Sequence, residues 1–312
     1  MAKSKSKALG RRQRLVIDRG VRWAVQIAFF VAFPAVFSAA FNGVKYVFTQ
    51  IGAMQPVSLS AFVTTLLAVL AFTVVFGRFF CGYACAFGTL GDALFTVFTP
   101  VRKKLGIGKK KPLLPAGMQR ALQLLKYVVL VVICVLCFAG MWSSVSGYSP
   151  WTAFAGIVAG NVDGISVGAF VALGVVAVGM LFVERFFCQF LCPLGAVFSL
   201  LPVLPFSAFA RDATRCAKGC GLCKRSCPVS VSPDPDAFAA GECISCGRCA
   251  DGCPLENVML LRVPKPAGQE EFVQDSSAKK PARKFPMSLR GTEILLVLAK
   301  AVALFALCRM FM

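Results

Sequence analysis

The sequence has no histidine among its 312 residues. It therefore has no His-ligated haem, no C-x-x-C-H haem attachment site and no zinc site built on imidazole. Charge is scarce as well, because charged residues make up 15% of the chain, against about a quarter in a typical soluble protein. What it has instead is fifteen cysteines and a hydrophobic fraction of 57%. The composition excludes a soluble globular protein and indicates a membrane protein whose chemistry depends on sulfur.

Long apolar runs predict the membrane segments. A helix needs about 20 residues to cross roughly 30 Å of hydrocarbon, and four runs are long enough. They are residues 23–42, 57–77, 121–142 and 165–183. Lys126 is the one charged residue in them, near enough to a helix end for its side chain to reach the headgroups. A fifth run, residues 294–312, carries Lys300 near its centre, so we predict a span there with a membrane-surface helix as the alternative.

The excess of basic residues is distributed unevenly. The chain has 34 Lys and Arg against 14 Asp and Glu, which gives a formal charge of +20. The basic residues concentrate in residues 1–22, 78–120 and 185–290, and the intervening loops contain almost none. Under the positive-inside rule these three regions are cytoplasmic. The charge therefore predicts a multi-pass protein of the cytoplasmic (inner) membrane with a cytoplasmic N-terminus, and nucleic acid is not needed to explain it.

One motif occurs twice. Residues 78–88 read R-F-F-C-G-Y-A-C-A-F-G, and residues 185–195 read R-F-F-C-Q-F-L-C-P-L-G. The arginine, both phenylalanines, both cysteines and the final glycine are identical at a constant offset of 107 residues. Each copy follows a span and precedes an apolar stretch too short for a full crossing, which is typical of a re-entrant or interfacial helix. The sequence predicts two pseudo-repeated halves, each a pair of spans that ends in this turn.

The repeated turns carry the candidate reactive residues Cys81, Cys85, Cys188 and Cys192. Cysteines four residues apart share one face of a helix, so the four would converge if the halves packed about a pseudo-twofold axis. Three uses remain open: ligands of a further metal centre, a thiol/disulfide redox pair, or small residues where helices approach. Asp92 and Glu184 are the nearest acidic groups, and either would accept protons from a quinol or pair with an arginine.

Eight more cysteines lie in one polar region, as C-A-K-G-C-G-L-C-K-R-S-C-P from residue 216 and C-I-S-C-G-R-C-A-D-G-C-P from residue 243. The second run matches the bacterial ferredoxin pattern C-x2-C-x2-C-x3-C-P, and the first has one extra residue between its first two cysteines. In that pattern the fourth cysteine of each run binds the other cluster. The predicted [4Fe-4S] ligands are Cys216, Cys220, Cys223 and Cys253 for the first cluster, and Cys243, Cys246, Cys249 and Cys227 for the second. Structural zinc and disulfides are disfavoured by the paired C-P endings and by a reducing cytoplasm.

These features divide the chain into five parts. They are a basic tail (residues 1–22), a membrane domain with the two C-x3-C repeats (23–210), a ferredoxin-like domain with two [4Fe-4S] clusters (211–263), a linker (264–290) and a C-terminal transmembrane helix (291–312). The predicted fold is an α-helical polytopic membrane protein with four core spans, a fifth C-terminal span and an appended two-cluster ferredoxin-like domain.

Two C-x3-C turns after membrane spans, followed by a two-cluster ferredoxin segment, resemble the NapH/NosR-type membrane polyferredoxins over about residues 20–260. The resemblance implies cytoplasmic clusters on the cysteines above, membrane quinones as substrates, and a quinol dehydrogenase subunit of a larger complex. It also implies a partner redox protein, which would be a flavoprotein, a cytochrome or a ferredoxin-type subunit. In the family a proline usually follows the second turn cysteine, and Pro193 fits this pattern while Ala86 does not.

Two other functions stay open at this point. One is a membrane-bound metal or thiol reductase in cofactor assembly that uses the C-x3-C pairs on a substrate. The other is a redox sensor or assembly scaffold without turnover. The sequence favours electron transfer, because a two-cluster relay lies within a multi-span protein. The direction of electron flow is not encoded in cysteine spacing.

Overall fold

The computed structural model describes residues 11–106, 116–204, 209–211, 216, 220–231, 241–253, 258–260 and 289–311. The first ten residues of the predicted tail and all but the last two residues of the predicted linker lie outside these ranges. The elements, in chain order, are α1 (Arg11–Ala32), α2 (Val36–Gly52), α3 (Ala61–Phe76), a π-helical turn (Phe80–Ala84), α4 (Ala86–Lys104), α5 (Ala116–Phe138), α6 (Trp142–Ser146), α7 (Pro150–Ala159), α8 (Val167–Phe182), α9 (Phe186–Phe190), α10 (Pro193–Leu200), β1 (Phe209–Arg211), α11 (Leu222–Ser226), α12 (Arg248–Gly252), β2 (Val258–Leu260) and α13 (Leu289–Phe311).

Within the described ranges the fold is helical apart from one short sheet, and its membrane part repeats one arrangement. When the bounds of α3 are shifted by 107 residues they match those of α8 within two residues, and the shifted bounds of α1 match those of α5 equally well. Packing repeats too, since α2 lies on α3 as α7 lies on α8, and α1 contacts the π-helical turn as α5 contacts α9. The repeated motif therefore belongs to a repeat of whole helices.

Fewer helices are long enough to span a membrane than hydropathy predicts. Residues Gly117–Phe138 of α5 and Ile294–Phe311 of α13 qualify, and the bent pair α1 and α2 adds a third span if it is counted as one. α3 and α8 have 16 residues each, because Ser60 and Ser166 precede their first turns and Gly77, with φ 70°, ends α3. Among the described residues the structure thus supports two to three candidate spans instead of four core spans and a fifth.

The predicted first span, residues 23–42, is not one helix. α1 ends at Ala32, α2 begins at Val36, and the two are bent by 62°. Pro34 lies in the break, where it lacks a backbone N–H and its ring would clash with the preceding helical turn. Hydropathy does not detect this break, because proline fits within an apolar run.

Valine side chains cover the outward faces of two helices. They are Val128, Val131, Val132 and Val135 of α5 and Val171, Val175 and Val178 of α8, each between 50% and 64% exposed. Soluble monomers rarely expose continuous apolar surfaces of this kind. Hydrocarbon satisfies such faces, so the exposure pattern agrees with a membrane location.

A cluster of phenylalanines joins the two halves. Phe87, at the start of α4, stacks on Phe187 of α9 with ring centroids 4.7 Å apart. Phe37 of α2 lies 5.2 Å from Phe87 and 6.0 Å from Phe187. Because Phe187 lies in one repeated turn and Phe87 directly follows the other, this packing fixes the two turns against each other.

The described parts of the predicted ferredoxin-like domain follow the membrane part, and we call them the ferredoxin-like unit. Its strands β1 and β2 pair antiparallel, with Phe209 opposite Leu260. α11 packs on α12, and a core of Phe209, Cys223, Ala250 and Val258 lies between these elements.

Gly43 allows the closest approach of α2 to α3, and its replacement tests that packing. A Cβ at this position would lie 2.5 Å from the carbonyl oxygen of Phe62 and 2.9 Å from Cβ of Leu66. Gly43→Ala is expected to lower the free energy of unfolding by about 1–3 kcal/mol, measured as a lower thermal midpoint of the detergent-solubilised protein. Gly174→Ala is the control, since no atom lies within 4 Å of its Cβ position. Equal midpoints for the two variants would contradict the packing.

Candidate functional site

Each repeated turn is built from a short helical turn and one extended residue. In the first half Cys85 is extended, with φ −70° and ψ 121°, and directly precedes α4. In the second half Cys192 is extended, with φ −73° and ψ 109°, and directly precedes α10. The expectation that each cysteine pair shares one helical face is therefore wrong, because the second cysteine caps the next helix. Pro193 explains the second case, since the residue before proline is held extended, whereas the first turn adopts the same conformation with Ala86.

The four turn cysteines nevertheless come together, and we call Cys81, Cys85, Cys188 and Cys192 the turn quartet. All four are buried and none forms a disulfide. Each sulfur is close enough to the other three for a charge on one to act on the others. The N–H of Gly195 donates to Cys192 Sγ at 3.1 Å. The two halves thus contribute matching thiols to one site.

Arg185 crosses from the second half into the first turn, and it is 2% exposed. Its Nε and Nη2 donate to the carboxylate of Asp92 at 2.7 and 2.5 Å. Nη1 donates to the carbonyl of Cys81, and Nη2 donates to that of Gly82 at 3.2 Å. A Cβ on Gly88 would overlap the guanidinium. The glycine of the first copy is therefore required by the arginine of the second.

Arg78 makes the reciprocal crossing. It is 2% exposed, and a Cβ on Gly195 of the second copy would lie 3.0 Å from its Nη2. Its charge acts on Cys81, as the charge of Arg185 acts on Cys188. The crossing explains why the repeat keeps its arginine and its glycine together with the cysteines.

Both acidic candidates pair with arginines. Asp92 binds Arg185 and also accepts a hydrogen bond from Gln26 at 2.8 Å. Glu184 forms an ion pair with Arg248, which directly precedes Cys249. In the structure Asp92 and Glu184 thus pair with arginines, which is one of the two roles expected for them. Proton transfer by either group stays a prediction.

The ferredoxin-like unit rests directly on the repeated turns. A Cβ on Gly82 would lie 2.5 Å from the carbonyl oxygen of Ile244. Tyr83 donates its hydroxyl to the carbonyl of Cys246 at 3.3 Å, and Gln189 Nε2 donates to the carbonyl of Pro228 at 2.8 Å. The first turn therefore touches the loop of the second predicted cluster, and the second turn touches the end of the first cysteine run.

A buried ion pair that the sequence did not predict fixes this loop to α5. Lys126 Nζ lies 2.5 and 2.6 Å from the two carboxylate oxygens of Glu242, and Arg78 Nη1 lies 3.5 Å from the same carboxylate. Lys126 is fully buried, so the expectation that it reaches the headgroups is wrong. The lysine and the glutamate are 116 residues apart, and no local pattern identifies such a pair.

Four of the eight ferredoxin-type cysteines form one group in the structure. They are the predicted ligands of the second cluster, Cys227, Cys243, Cys246 and Cys249. Burial raises the pKa of Cys243 to about 11 and the pKa of Cys249 well above its usual range. A bare thiolate is unfavourable at such a buried position, whereas a thiolate bound to the iron of a [4Fe-4S] cluster is not.

The four predicted ligands of the first cluster are described less completely. Cys223 belongs to the small core of the ferredoxin-like unit, and Cys253 packs against that core. Cys216 and Cys220 flank residues 217–219, which lie outside the described ranges. The assignment of all four to one cluster therefore stays a prediction.

Within the described ranges, no three Cys, Asp or Glu side chains are placed to hold a single metal ion. This applies to the turn quartet and to the ferredoxin-type cysteines alike. A zinc ion binds all its thiolates at about 2.3 Å, whereas the thiolates of a [4Fe-4S] cluster bind different irons and stand farther apart.

A cleft opens where the loop of the second predicted cluster meets α1 and α13. Cys246, Tyr83 and Val297 line it, together with the ion pair of Arg22 and Asp251, whose atoms are 3.0 Å apart. The sequence did not predict this cleft, because its walls come from the first helix, the first turn, the ferredoxin-like unit and the C-terminal helix.

Comparisons with known proteins place the similarity on the membrane repeats. A family model described as a 4Fe-4S binding domain matches residues 59–108 and 166–204, which contain the turn quartet. An uncharacterized protein of Methanocaldococcus jannaschii is 30% identical over 196 residues, covering 62% of this chain and 68% of its own. The putative electron transport protein YccM of Escherichia coli is 22% identical over 210 residues, 66% of this chain and 57% of its own. The ferredoxin-type protein NapH of Haemophilus influenzae is 28% identical over 198 residues, 59% of this chain and 62% of its own. No solved structure matches the chain significantly.

Lys126→Met tests the buried ion pair. Removing the lysine leaves the Glu242 carboxylate without its nearest cation, so we expect a loss of about 3 kcal/mol in the free energy of unfolding. The added change Glu242→Gln should recover part of that loss in a double-mutant cycle. Lys104→Met, at the exposed end of α4, is the control and should change stability by less than about 0.5 kcal/mol. A loss in the control as large as in Lys126→Met would rule out the ion pair as the cause.

Proposed function

Because the chain belongs to the ferredoxin-type membrane proteins with a 4Fe-4S binding domain, we propose that it is the electron-transfer subunit of a membrane complex. It exchanges electrons between the quinone pool and a partner redox protein through two [4Fe-4S] clusters. The eight ferredoxin-type cysteines hold the clusters, and the partner is a flavoprotein, a cytochrome or a ferredoxin-type subunit. The N-terminus and the clusters face the cytoplasm.

The observation that carries this proposal is the direct contact between the second cluster's loop and the membrane helices. Tyr83 and Gly82 of the first turn touch Cys246 and Ile244 without an intervening layer. The ion pair of Lys126 and Glu242 holds the same loop on α5. A cluster bound there supplies one-electron redox chemistry next to the membrane, where a quinone dissolves.

The repeat supports a membrane domain of two matched halves with four core crossings. α3 and α8 are short for this role, and each leads into its turn and then into α4 or α10, which would complete the hydrophobic thickness. The fifth crossing is α13, with Lys300 buried against the ring of Phe76 at 5.6 Å. Basic residues end α4, namely Arg102, Lys103 and Lys104, and support a cytoplasmic position for the turns.

The cleft beside Cys246 is the proposed quinone site. Val21 and Val297 give it an apolar side for the ring, and the guanidinium of Arg22 places a donor group in its lining for a carbonyl oxygen. Oxidation of a quinol releases two electrons and two protons. The carboxylate of Asp18 lines the same cleft and is the proposed acceptor of a proton.

Burial of the turn quartet argues against the thiol reductase. A reductase that acts on an external substrate needs an accessible thiolate, and all four thiols are at most 7% exposed. Electron transfer through bound clusters needs no such access. We therefore prefer electron transfer to the reductase.

Quinol-dependent reduction of the clusters tests the proposal. The full-length protein, purified anaerobically in detergent, is mixed with a menaquinol analogue and followed by EPR. The quinol should reduce the clusters, or the quinone should reoxidise them, in a protein that holds about eight irons in its two ferredoxin clusters. Loaded clusters that respond to no quinol or quinone would overturn the quinone assignment and favour the sensor or scaffold.

Val297→Trp tests the cleft. The larger side chain fills the space beside Cys246, so the rate of the quinol-dependent EPR change should fall by about tenfold or more, the equivalent of roughly 1.4 kcal/mol. Val302→Trp on the same helix is the control, because Val302 is 68% exposed on the outward face. Both variants should keep their iron content and their dithionite-reduced spectra. Equal rates in the two variants would place the quinone elsewhere.

A further inference from the structure

The two halves differ where each crossing arginine needs a carboxylate. In the first half Asp92 of α4 pairs with Arg185. The residue 107 positions after Asp92 is Ser199 of α10, which has no charge, and the carboxylate that pairs with Arg78 is Glu242 of the ferredoxin-like unit. We propose that the second half is a receptor for this carboxylate, and that Glu242 thereby positions the loop of the second predicted cluster for electron transfer.

Four side chains surround the carboxylate of Glu242, and we call them the carboxylate receptor: Arg78, Lys126, Tyr127 and Ser199. Lys126 Nζ lies 2.5 and 2.6 Å from the two carboxylate oxygens, and Arg78 Nη1 lies 3.5 Å from one of them. The hydroxyl of Tyr127 donates to Glu242 Oε1 at 3.4 Å and lies 2.8 Å from Ser199 Oγ. Ser199 therefore lies beside the carboxylate, at the repeat position that holds the carboxylate itself in the first half.

The receptor uses residues that the first half does not have. Lys126 and Tyr127 of α5 correspond to Arg19 and Gly20 of α1 at the 107-residue offset. Arg19 and Gly20 are exposed, and no atom lies within 4 Å of the Cβ position of Gly20. Lys126, in contrast, is fully buried. Because the helices of the two halves have matching bounds, the second half is specialised through its side chains.

The backbone before Glu242 also fits the second half. Gly241 has φ 67°, which side chains other than glycine rarely adopt. A Cβ on Gly241 would lie 2.6 Å from the carbonyl oxygen of Ser199, and Arg78 Nη1 donates to the carbonyl of Gly241 at 3.0 Å. Cys243 follows directly, so a bound Glu242 carboxylate also sets the position of the first cysteine of its run.

The receptor is unfavourable without its carboxylate. Arg78 is 2% exposed and Lys126 is fully buried, and a buried cation that loses its partner is strongly destabilising. Opening of the loop would admit water to these cations and relieve that cost. The carboxylate of Glu242 therefore holds the loop closed and keeps Cys246 beside the cleft. The consequence for electron transfer rests on the proposed function, whereas closure of the loop does not.

Moving the carboxylate from the loop to α10 tests the receptor. Glu242→Gln leaves two buried cations without a carboxylate, so the loop should open. Adding Ser199→Asp to Glu242→Gln restores one carboxylate to the receptor, at the position that the first half uses, and the loop should close again. Ser199→Asn in the Glu242→Gln background is the matched control, because asparagine has the size of aspartate without its charge. It should give no recovery.

Labelling of Lys126 by a water-soluble amine reagent, followed by mass spectrometry, measures the opening in the full-length protein in detergent. Glu242→Gln should speed the labelling by about tenfold or more, the equivalent of roughly 1.4 kcal/mol, and the Asp-containing double variant should reverse most of this. Lys300 is the internal control, since it is 8% exposed and lies against Phe76 of α3. Equal increases at Lys126 and Lys300 would mean that the membrane domain unfolds and would overturn the proposal.

Quinol-dependent EPR of the same variants tests the positioning. Glu242→Gln should slow the quinol-dependent change by about tenfold or more and the Asp-containing double variant should recover it, while iron content and dithionite-reduced spectra stay unchanged. Unchanged labelling in Glu242→Gln, or equal recovery with Asn and Asp at position 199, would overturn the receptor. Faster labelling with an unchanged quinol rate would overturn the positioning role. If the wild-type clusters respond to no quinol, the labelling still decides whether the receptor exists, so the two proposals fail separately.

Discussion

Burying a guanidinium among apolar side chains is unfavourable unless its donors are matched, and the two turns of this protein are arranged around that requirement. Arg185 finds its acceptors in Asp92 and in the carbonyls of Cys81 and Gly82, all from the other half of the chain. These carbonyls belong to the π-helical turn. The first turn therefore depends on an arginine about a hundred residues away, and neither half is complete alone.

The same requirement connects the membrane domain to the ferredoxin-like unit. Arg78 and Lys126 share the carboxylate of Glu242, the residue before Cys243. Arg248, the residue before Cys249, pairs with Glu184 at the end of α8. These ion pairs thus fix two cysteines of the second predicted cluster to the membrane domain, through Glu242 to both halves and through Arg248 to the second half. Such positioning keeps a redox centre at a constant distance from the membrane, which loop residues alone would not ensure.

The sequence predicts what depends on local pattern and misses what depends on tertiary contact. Cysteine spacing and the 107-residue repeat are local, and the repeat anticipated the convergence of the turn cysteines, whereas the assignment of ligands to the two clusters stays a prediction. Hydropathy is averaged over a window, so it does not detect the helix break at Pro34. For the same reason the predicted second span extends beyond the ends of α3 at Ser60 and Gly77. The crossing of the arginines and the pair of Lys126 with Glu242 join residues more than a hundred positions apart. Only folding brings these residues together.

The turn quartet lies between the two repeated halves, and the ferredoxin-like unit lies over it. The quartet, its arginines and its glycines all come from the two membrane repeats, and so does the match to the 4Fe-4S binding domain. The described part of the ferredoxin-like unit covers the first turn through Ile244 and the second through Pro228. Removing water from buried charges strengthens their interactions. The ferredoxin-like unit therefore affects the quartet by covering it. In return, the contacts that the turns make with the unit fix the position of the unit's cysteines.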